Sequence, residues 1–352
     1  MDIIIFLLSF AVILMGCEFF TNGVEWTGKR FSLSEGAIGS VLAAVGTALP
    51  ETLIPLIAIL MLGGDAGAEI GVGAILGAPF MLSTLALFVC GLSVLIFARR
   101  RNTRTLHING ILIRRDLKFF LLAYSLAAIA ALAPPSLDII KKALGFTLIP
   151  LYILYTLYTL KTGEAGSSEG LKALYFDSVI KRCIPGKNVD KDCPDPREPA
   201  TALILIQVFA SLGAIILGAN LFVNQINDIA IFLGINPLIL SLIISPIATE
   251  LPEKFNSLLW IRERKDTFAI GNITGAMVFQ SCIPVTIGIL LTGWHLNIAN
   301  RVELLEAVTI GIALFSGALL YWRSSHTEIK MSGLMLGGLL YLLFFALVVL
   351  SI

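Results

Sequence analysis

Charged residues are scarce in this chain: they form 14% of its 352 residues, whereas hydrophobic residues form 57%. In ordinary soluble domains roughly a quarter of the residues are charged, because such domains must present a polar surface to water. The scarcity therefore excludes an ordinary soluble domain and indicates a protein that crosses a lipid bilayer several times. The formal net charge is only +1, which gives no reason to expect a nucleic-acid partner.

The residues and motifs of common catalytic sites are also missing. The sequence has only three histidines, and all of them fall in predicted loops. It has no Gly-x-x-x-x-Gly-Lys-Ser/Thr loop, the pattern that holds the phosphates of a bound nucleotide. We therefore expect neither an enzyme nor a resident cofactor, and no nucleotide partner.

Apolar runs of the length that a bilayer requires, about 20 residues, fill most of the chain. The first run follows Met1 and Asp2 with no basic residue before it, so we expect a membrane helix rather than a cleavable signal. The sequence predicts an all-α membrane protein with ten transmembrane helices. These lie at roughly 3–24, 36–62, 69–98, 118–135, 143–160, 200–224, 229–260, 267–293, 303–322 and 331–352.

The positive charges predict an orientation for these ten helices. Of the 25 Lys and Arg residues, 21 fall in the loops that follow odd-numbered helices. Only Lys141, Lys142 and Arg301 fall in the other loops, and Lys254 lies within the seventh helix. Since basic loops stay in the cytoplasm, both termini are predicted outside. We expect a multi-pass protein of the cell (inner or plasma) membrane.

The longest polar stretch, 161–199, divides the sequence. It is rich in Gly, Ser and Pro and lacks the apolar residues of a folded domain, so we expect a cytoplasmic linker with at most one surface helix. The sequence therefore predicts a first five-helix repeat at 1–160, the linker at 161–199 and a second five-helix repeat at 200–352.

The two predicted halves carry matching motifs at an offset of 202 residues. A second matching block follows after a four-residue gap, 73–78 against 271–276, and places small residues at helical spacing, which favours close helix packing. Five helices per repeat is an odd number, so the second repeat must enter the membrane from the opposite side. Such inverted repeats with interrupted helices are typical of secondary transporters, and we expect helices 2 and 7 to be broken at their prolines. The residues that match at the offset of 202 are Thr47 and Thr249, Leu49 and Leu251, Pro50 and Pro252, and Glu51 and Glu253.

Glu51 and Glu253 are the main candidate ligands for a cation. A carboxylate inside a bilayer is costly unless it has a partner or lines a water-filled cavity. Calcium prefers six to eight oxygen ligands from carboxylates, carbonyls and waters. Thr47 and Thr249 can add a hydroxyl or a freed backbone carbonyl. The alternative is that each glutamate pairs with a lysine or a helix end and binds no ion.

Other polar residues in the predicted helices allow more than one role. Glu250 either ligates the ion, carries an exchanged proton, or forms a salt bridge with Lys254 at i+4 spacing. Asn272 has an amide that could reach the ion. The remaining candidates are expected to face the bundle interior in a gating or structural role, the asparagines through helix–helix hydrogen bonds; they are Glu18, Asn22 and Asn224.

The motif Gly-Thr-Ala-Leu-Pro-Glu at 46–51 resembles the first repeat signature of the calcium/cation antiporter superfamily, which includes the sodium/calcium exchangers of prokaryotes. Ala-Thr-Glu-Leu-Pro-Glu at 248–253 resembles the second signature, and 271–276 is similar to a Gly-Asn-x-x-Gly-Ser block of the same proteins. The resemblance implies a ten-helix fold in which Glu51 and Glu253 coordinate calcium. It also implies that Thr47 and Thr249 supply oxygen atoms to the ions.

The sequence departs from these signatures where sodium ligands are expected. The family's Ser is Ala48 in one half and Glu250 in the other, and its Asn or Asp after Gly-Ser is Pro79 or Met277. We therefore expect an antiporter that exchanges calcium, or a similar divalent cation, for sodium or protons by alternating access. The alternatives are a proton-coupled or other-metal exchanger, and a channel or sensor with the exchanger fold but no coupled exchange.

Overall fold

A computed structural model describes residues 3–30, 49–161, 172–177, 199–296, 300–325 and 327–351. Helices account for nearly all of these residues, as the long apolar runs predict. In chain order they are α1 Ile3–Arg30, α2 Leu49–Ile57, α3 Gly64–Met81, α4 Leu87–Ile96, α5 Ala98–Arg101, α6 Gly110–Leu132, α7 Asp138–Lys161, α8 Thr201–Leu233, α9 Pro237–Thr249, α10 Leu251–Arg262, α11 Asp266–Leu291, α12 Arg301–Arg323 and α13 Met331–Ser351.

Two π-helical turns extend these helices. Ala58–Leu62 continues α2, and Leu82–Ala86 joins α3 to α4. Both regions contain a proline inside the helix, Pro55 in α2 and Pro79 in α3. Proline has no backbone N–H to donate to the preceding turn. π-Helical turns commonly accompany such disturbances of the helical hydrogen-bond pattern.

Each of the ten predicted apolar segments contains helix within the described residues. Six of them are long and apolar enough to cross a membrane, and they confirm a multi-pass α-helical protein. These six are Ile3–Arg30, Gly64–Ile96, Thr201–Leu233, Asp266–Leu291, Arg301–Arg323 and Met331–Leu350.

The all-α class is confirmed, but one short element was not predicted and one helix boundary was wrong. Strand β1, Thr105–His107, pairs antiparallel with β2, Glu328–Lys330. Strands of three residues in polar loops give too short a pattern to be seen in sequence. The sixth predicted helix was also too short, since α8 continues to Leu233 before a turn at Gly234, which has a positive φ of 66°.

The predicted break in the seventh helix is confirmed. Helix α9 ends at Thr249, Glu250 leaves the helical conformation with φ −92° and ψ 8°, and α10 begins at Leu251. Pro252 stands in the first turn of α10, where its missing N–H does no harm. The corresponding break in the second helix falls on residues outside the described ranges.

The chain forms two compact units. One contains 54–155 and 223–352, and its core is a continuous apolar cluster that includes Phe80, Phe120 and Tyr124. In it, Gly73 and Gly77 let α3 lie directly on the backbone of α9: a Cβ at either glycine would overlap the carbonyl oxygen of Leu238 or Leu242. The predicted close packing of the glycine block is therefore confirmed.

The other unit contains 2–53 and 156–222. Here α1 packs along α8, with Gly16 against Ile215 and Gly218 against Ile13. Part of the predicted linker, 172–177, also belongs to this unit. This grouping follows contacts rather than sequence repeats, so the division into 1–160, 161–199 and 200–352 stays a prediction.

Candidate cation site

The break at Glu250 places two acidic side chains at the junction of two apolar helices. Pro252 has no N–H, so it cannot bond the carbonyl of Ala248 four residues earlier, as a continuous helix would require. Glu253 lies in the first turn of α10, where the positive end of the helix dipole favours a carboxylate. The local sequence therefore builds a break with a carboxyl group on either side of the proline.

Both carboxyl groups are buried. Glu250 is 1% exposed and Glu253 is 7% exposed, and Thr249 beside them is buried as well. Oε1 of Glu250 and Oε2 of Glu253 have no hydrogen-bond partner among the described residues. Buried charged oxygen atoms are costly without a partner, and a bound cation satisfies such oxygen atoms directly.

Lys254 pairs with Glu250. Its Nζ lies 3.0 Å from Oε2 of Glu250 and donates a second, longer hydrogen bond of 3.4 Å to the carbonyl of Pro246. Both members of the pair are almost fully buried. The salt bridge considered as an alternative for Glu250 is thus formed, and Lys254 does not extend out to the membrane surface.

Asn272 reaches the site from α11. Its Nδ2 donates to the backbone carbonyl of Glu253 at 3.3 Å, and Ser257 on α10 donates to the carbonyl of Ala269 at 3.1 Å. These two bonds fasten α11 to α10 beside the break. An amide nitrogen is only a donor, so the amide oxygen of Asn272 is the atom that can serve as a ligand.

Glu51 is buried in the first turn of α2, with 6% of its surface exposed. It lies in the smaller compact unit, whereas Thr249, Glu250, Glu253 and Asn272 lie in the larger one. The predicted convergence of Glu51 and Glu253 on one ion stays a prediction. Thr47 lies outside the described residues.

Within the described residues no group of three His, Cys, Asp or Glu side chains is arranged to hold a metal ion. The candidate site was predicted to mix carboxylates with neutral oxygens from threonine, asparagine and backbone. Such oxygen atoms are the ligands that calcium and similar hard cations prefer in proteins.

Glu18 and Asn22 have partners that sequence analysis did not foresee. The expectation that Glu18 faces the bundle interior was wrong: its side chain is 59% exposed and lies 3.5 Å from Lys172 Nζ. It also accepts a hydrogen bond of 2.5 Å from the Tyr175 hydroxyl. Asn22 is buried, and its Oδ1 accepts from Gln207 on α8 at 3.0 Å, which is a helix–helix bond of the predicted kind. Asn224 is half-buried in α8.

The backbone of 172–177 is held by the same polar groups. The Lys172 carbonyl accepts from Asn22 at 3.4 Å and from the indole of Trp26 at 3.0 Å. The backbone N–H of Tyr175 donates to Asn22 at 3.2 Å, and that of Phe176 donates to Gln207 at 2.8 Å. Sequence reasoning missed this contact, because the partners are 31 to 153 residues apart along the chain.

Sequence analysis also missed Asp116. This carboxyl group on α6 is buried between Arg115 and Thr274, which approach its two oxygens to 3.0 Å and 2.9 Å. In the sequence, Asp116 is an acidic residue among several basic ones near the start of a predicted membrane helix. Such a pattern predicts a solvated loop charge.

Buried carboxyl groups at a break between membrane helices are typical of membrane proteins that bind or transport cations. A family model described as sodium/calcium exchanger protein matches residues 1–161 and 203–352. The chain therefore belongs to the sodium/calcium exchanger protein family, a family of transporters rather than enzymes.

Individual relatives are similar over nearly the whole chain. An uncharacterised membrane protein of Methanocaldococcus jannaschii is 25% identical over 324 residues, covering 92% of this chain and 90% of the relative. The solved H+/Ca2+ exchanger CAX has a TM-score of 0.67 at 16% identity, covering 99% of this chain and 85% of its own. The sodium-calcium exchanger NCX_Mj, soaked with Na+ and Sr2+, has a TM-score of 0.57 at 22% identity, covering 97% and 96%. The fold is thus that of these exchangers.

Proposed function

We propose that this protein exchanges calcium, or a similar divalent cation, for sodium or protons across the membrane by alternating access. The observation that carries the proposal is the break at Glu250, which keeps Glu250 and Glu253 buried within a broken apolar helix. Membership of the exchanger family adds the reaction class. CAX and NCX_Mj, which share the fold, are named as H+/Ca2+ and sodium-calcium exchangers.

Exchange follows from competition for one set of oxygens. In the proposed site, Glu51 and Glu253 supply the negative charge, and Thr47, Thr249 and the freed backbone carbonyls near the breaks supply neutral oxygens. A divalent cation neutralises both carboxylates, and sodium ions or protons can replace it at the same atoms. Since the site cannot hold both kinds of ion together, release of one is linked to binding of the other.

The identity of the counter-ion is the open choice within this proposal. Ala48, Pro79 and Met277 stand where the exchanger signatures carry oxygen-bearing side chains, and their side chains cannot bind sodium. Glu250 replaces one of those positions with a carboxyl group that can carry a proton. These four residues favour protons as the counter-ion. The Thr and Glu residues that occur in both motifs fit either sodium or protons.

Transport by the purified protein in lipid vesicles tests the proposal. Vesicles are given calcium-45 outside and either an outward sodium gradient or an outward proton gradient. Uptake driven by only one gradient identifies the counter-ion. Uptake that needs neither gradient and continues to electrochemical equilibrium contradicts antiport and indicates a channel. No calcium uptake and no calcium binding would contradict the function as a whole.

Glu250→Ala, assayed in the same vesicles, tests the coupling role of this residue. With proton coupling through Glu250, the variant retains calcium binding but loses the dependence of uptake on the pH gradient. An unchanged pH and counter-ion profile would assign Glu250 to the salt bridge with Lys254 alone.

We also propose the membrane topology that this mechanism requires. Ten helices in two inverted repeats, 1–160 and 200–352, would place both termini outside the cell membrane, with 161–199 as a cytoplasmic linker. Single cysteines at Asp138 and at Arg264, labelled in intact cells by a reagent that cannot cross the membrane, test it. Labelling of the residue at 264 but not at 138 would contradict this orientation.

A further inference from the structure

Asp116 is a buried carboxyl group that the proposed exchange does not use. It is 1% exposed on α6. Oδ1 accepts from Arg115 at 3.0 Å and Oδ2 accepts from the hydroxyl of Thr274 at 2.9 Å, and the hydroxyl of Tyr155 also bonds to it. A buried carboxylate is costly unless it is paired and hydrogen-bonded. The bond to Thr274 joins it to the helix that carries Asn272.

Helix α11 presents two different faces at this level. Gly271, Thr274 and Gly275 share one face. On that face Gly271 lies against Leu112 of α6, and Gly275 lies against the hydroxyl of Tyr155 on α7. Residue 272 is about 200° away from residue 274 around a helix of 3.6 residues per turn.

Asn272 therefore points roughly opposite to Thr274, and it meets α10. There the Nδ2 of Asn272 donates to the carbonyl of Glu253 at 3.3 Å. The glycine contacts on the α6 side do not fix how α11 is rotated about its own axis. The hydrogen bond from Thr274 to Asp116 does fix it, because the geometry of that bond depends on this rotation.

We propose that Asp116 is a positioning residue for the cation site: through Thr274 it fixes the rotation of α11 and so keeps Asn272 bonded to the backbone of Glu253. This inference rests on the proposed function for its effect on calcium. Arg115 neutralises the carboxylate, and the Thr274 hydroxyl donates the directional bond to it. A small rotation of α11 would move Asn272 away from α10 and loosen the first turn that carries Glu253.

The main test replaces Thr274 with Val, which has the same shape and lacks the hydroxyl. Thr274→Val should raise the calcium concentration for half-maximal uptake by about tenfold, the lower end of the effect of groups that orient metal ligands. The maximal rate should change much less. Thr274→Ser keeps a hydroxyl and should restore the wild-type value.

Thr286 provides a matched control. It is another buried threonine of α11, and its hydroxyl lies 3.0 Å from the carbonyl of Gly145 on α7 and 2.7 Å from the carbonyl of Cys282 on α11 itself. Thr286→Val should lower stability by a similar amount and leave the half-maximal calcium concentration unchanged. An equal rise in both Val variants would overturn the proposal, because the effect would then be one of general stability.

Asp116 itself is tested by Asp116→Asn, alone and combined with Thr274→Val. The amide of Asn can accept from Arg115 through its oxygen and donate to the Thr274 hydroxyl through its nitrogen, so Asp116→Asn should weaken calcium uptake less than Thr274→Val. The double variant should weaken uptake by less than the two single effects combined, because both changes act on the bond between residues 116 and 274. Fully additive effects would overturn the proposal.

A structural readout separates this inference from the proposed function. Backbone amide hydrogen exchange in 251–257 should become faster in Thr274→Val, and should stay at the wild-type rate in Thr274→Ser and Thr286→Val. If the wild type neither binds nor transports calcium, the proposed function fails while faster exchange still supports the positioning role. Unchanged exchange in Thr274→Val would overturn it.

Discussion

The ammonium group of Lys254 lies 3.0 Å from Oε2 of Glu250, one helical turn earlier, with both side chains nearly inaccessible to solvent. The pair crosses the break between α9 and α10, so it links the last residue before α10 to the second turn of that helix. Removing one member of a buried ion pair leaves an uncompensated charge in a medium of low dielectric constant. This pair therefore affects both the stability of the break and the charge of the site.

Lys254→Met should destabilise the protein by roughly 3–5 kcal/mol, because the Glu250 carboxylate is left buried and unpaired. Glu250→Gln/Lys254→Met should recover most of this loss, since neither charge remains. Thermal unfolding of the purified protein in detergent measures both effects. Lys142→Met is the matched control: it breaks an i,i+4 pair with Asp138 whose side chains are 47% and 61% exposed. Its effect should be under about 1 kcal/mol. Equal losses in the two single variants would contradict a special role for the buried pair.

Glu51→Gln and Glu253→Gln should each abolish calcium uptake in vesicles while the protein remains folded. The amide keeps the shape of the side chain but removes one of the negative charges that a divalent cation requires. Glu263→Gln, at a residue whose side chain is 51% exposed, should transport at the wild-type rate. Normal uptake by either of the first two variants would remove that residue from the site.

Gly77→Ala should destabilise the larger unit by about 1–3 kcal/mol, the usual cost of overfilling a tight contact. A Cβ at this position meets the carbonyl of Leu242, which belongs to the backbone of α9 and cannot move aside alone. Gly311→Ala on α12 meets nothing within 4 Å and should be neutral or slightly stabilising, because alanine is the better helix former. Unfolding temperatures of the two variants test this contrast.

Asn22→Leu should release 172–177 from α1 and α8. Asn22 bonds to the backbone of that segment through both ends of its amide, and leucine can make neither bond. Amide hydrogen exchange of Tyr175 and Phe176 should then become faster. Tyr175→Phe removes only the bond from the hydroxyl to the exposed Glu18 and should leave exchange nearly unchanged. Equal exchange in wild type and Asn22→Leu would show that Asn22 does not hold the segment.

The sequence by itself determined the features that arise from neighbouring residues. Apolar runs of membrane length gave the helices, because an unsatisfied backbone inside a bilayer is prohibitively costly. Pro252 favoured the interruption beside Glu250, since proline has no N–H for the preceding turn. The i,i+4 spacing made the salt bridge of Glu250 and Lys254 available, and the spacing of Gly73 and Gly77 predicted a tight helix contact.

Tertiary structure alone decided which distant groups meet. The bond between Asp116 and Thr274 spans 158 positions of the chain, and that between Asn22 and Gln207 spans 185. The same is true of the 172–177 segment, whose backbone is recognised by side chains of α1 and α8. Local pattern fixes the conformation and the apolar face of a helix, but many packing arrangements satisfy the same faces. Only the folded chain shows which buried polar groups pair. Each of them needs a hydrogen-bond partner, and tertiary packing decides which group is close enough to serve.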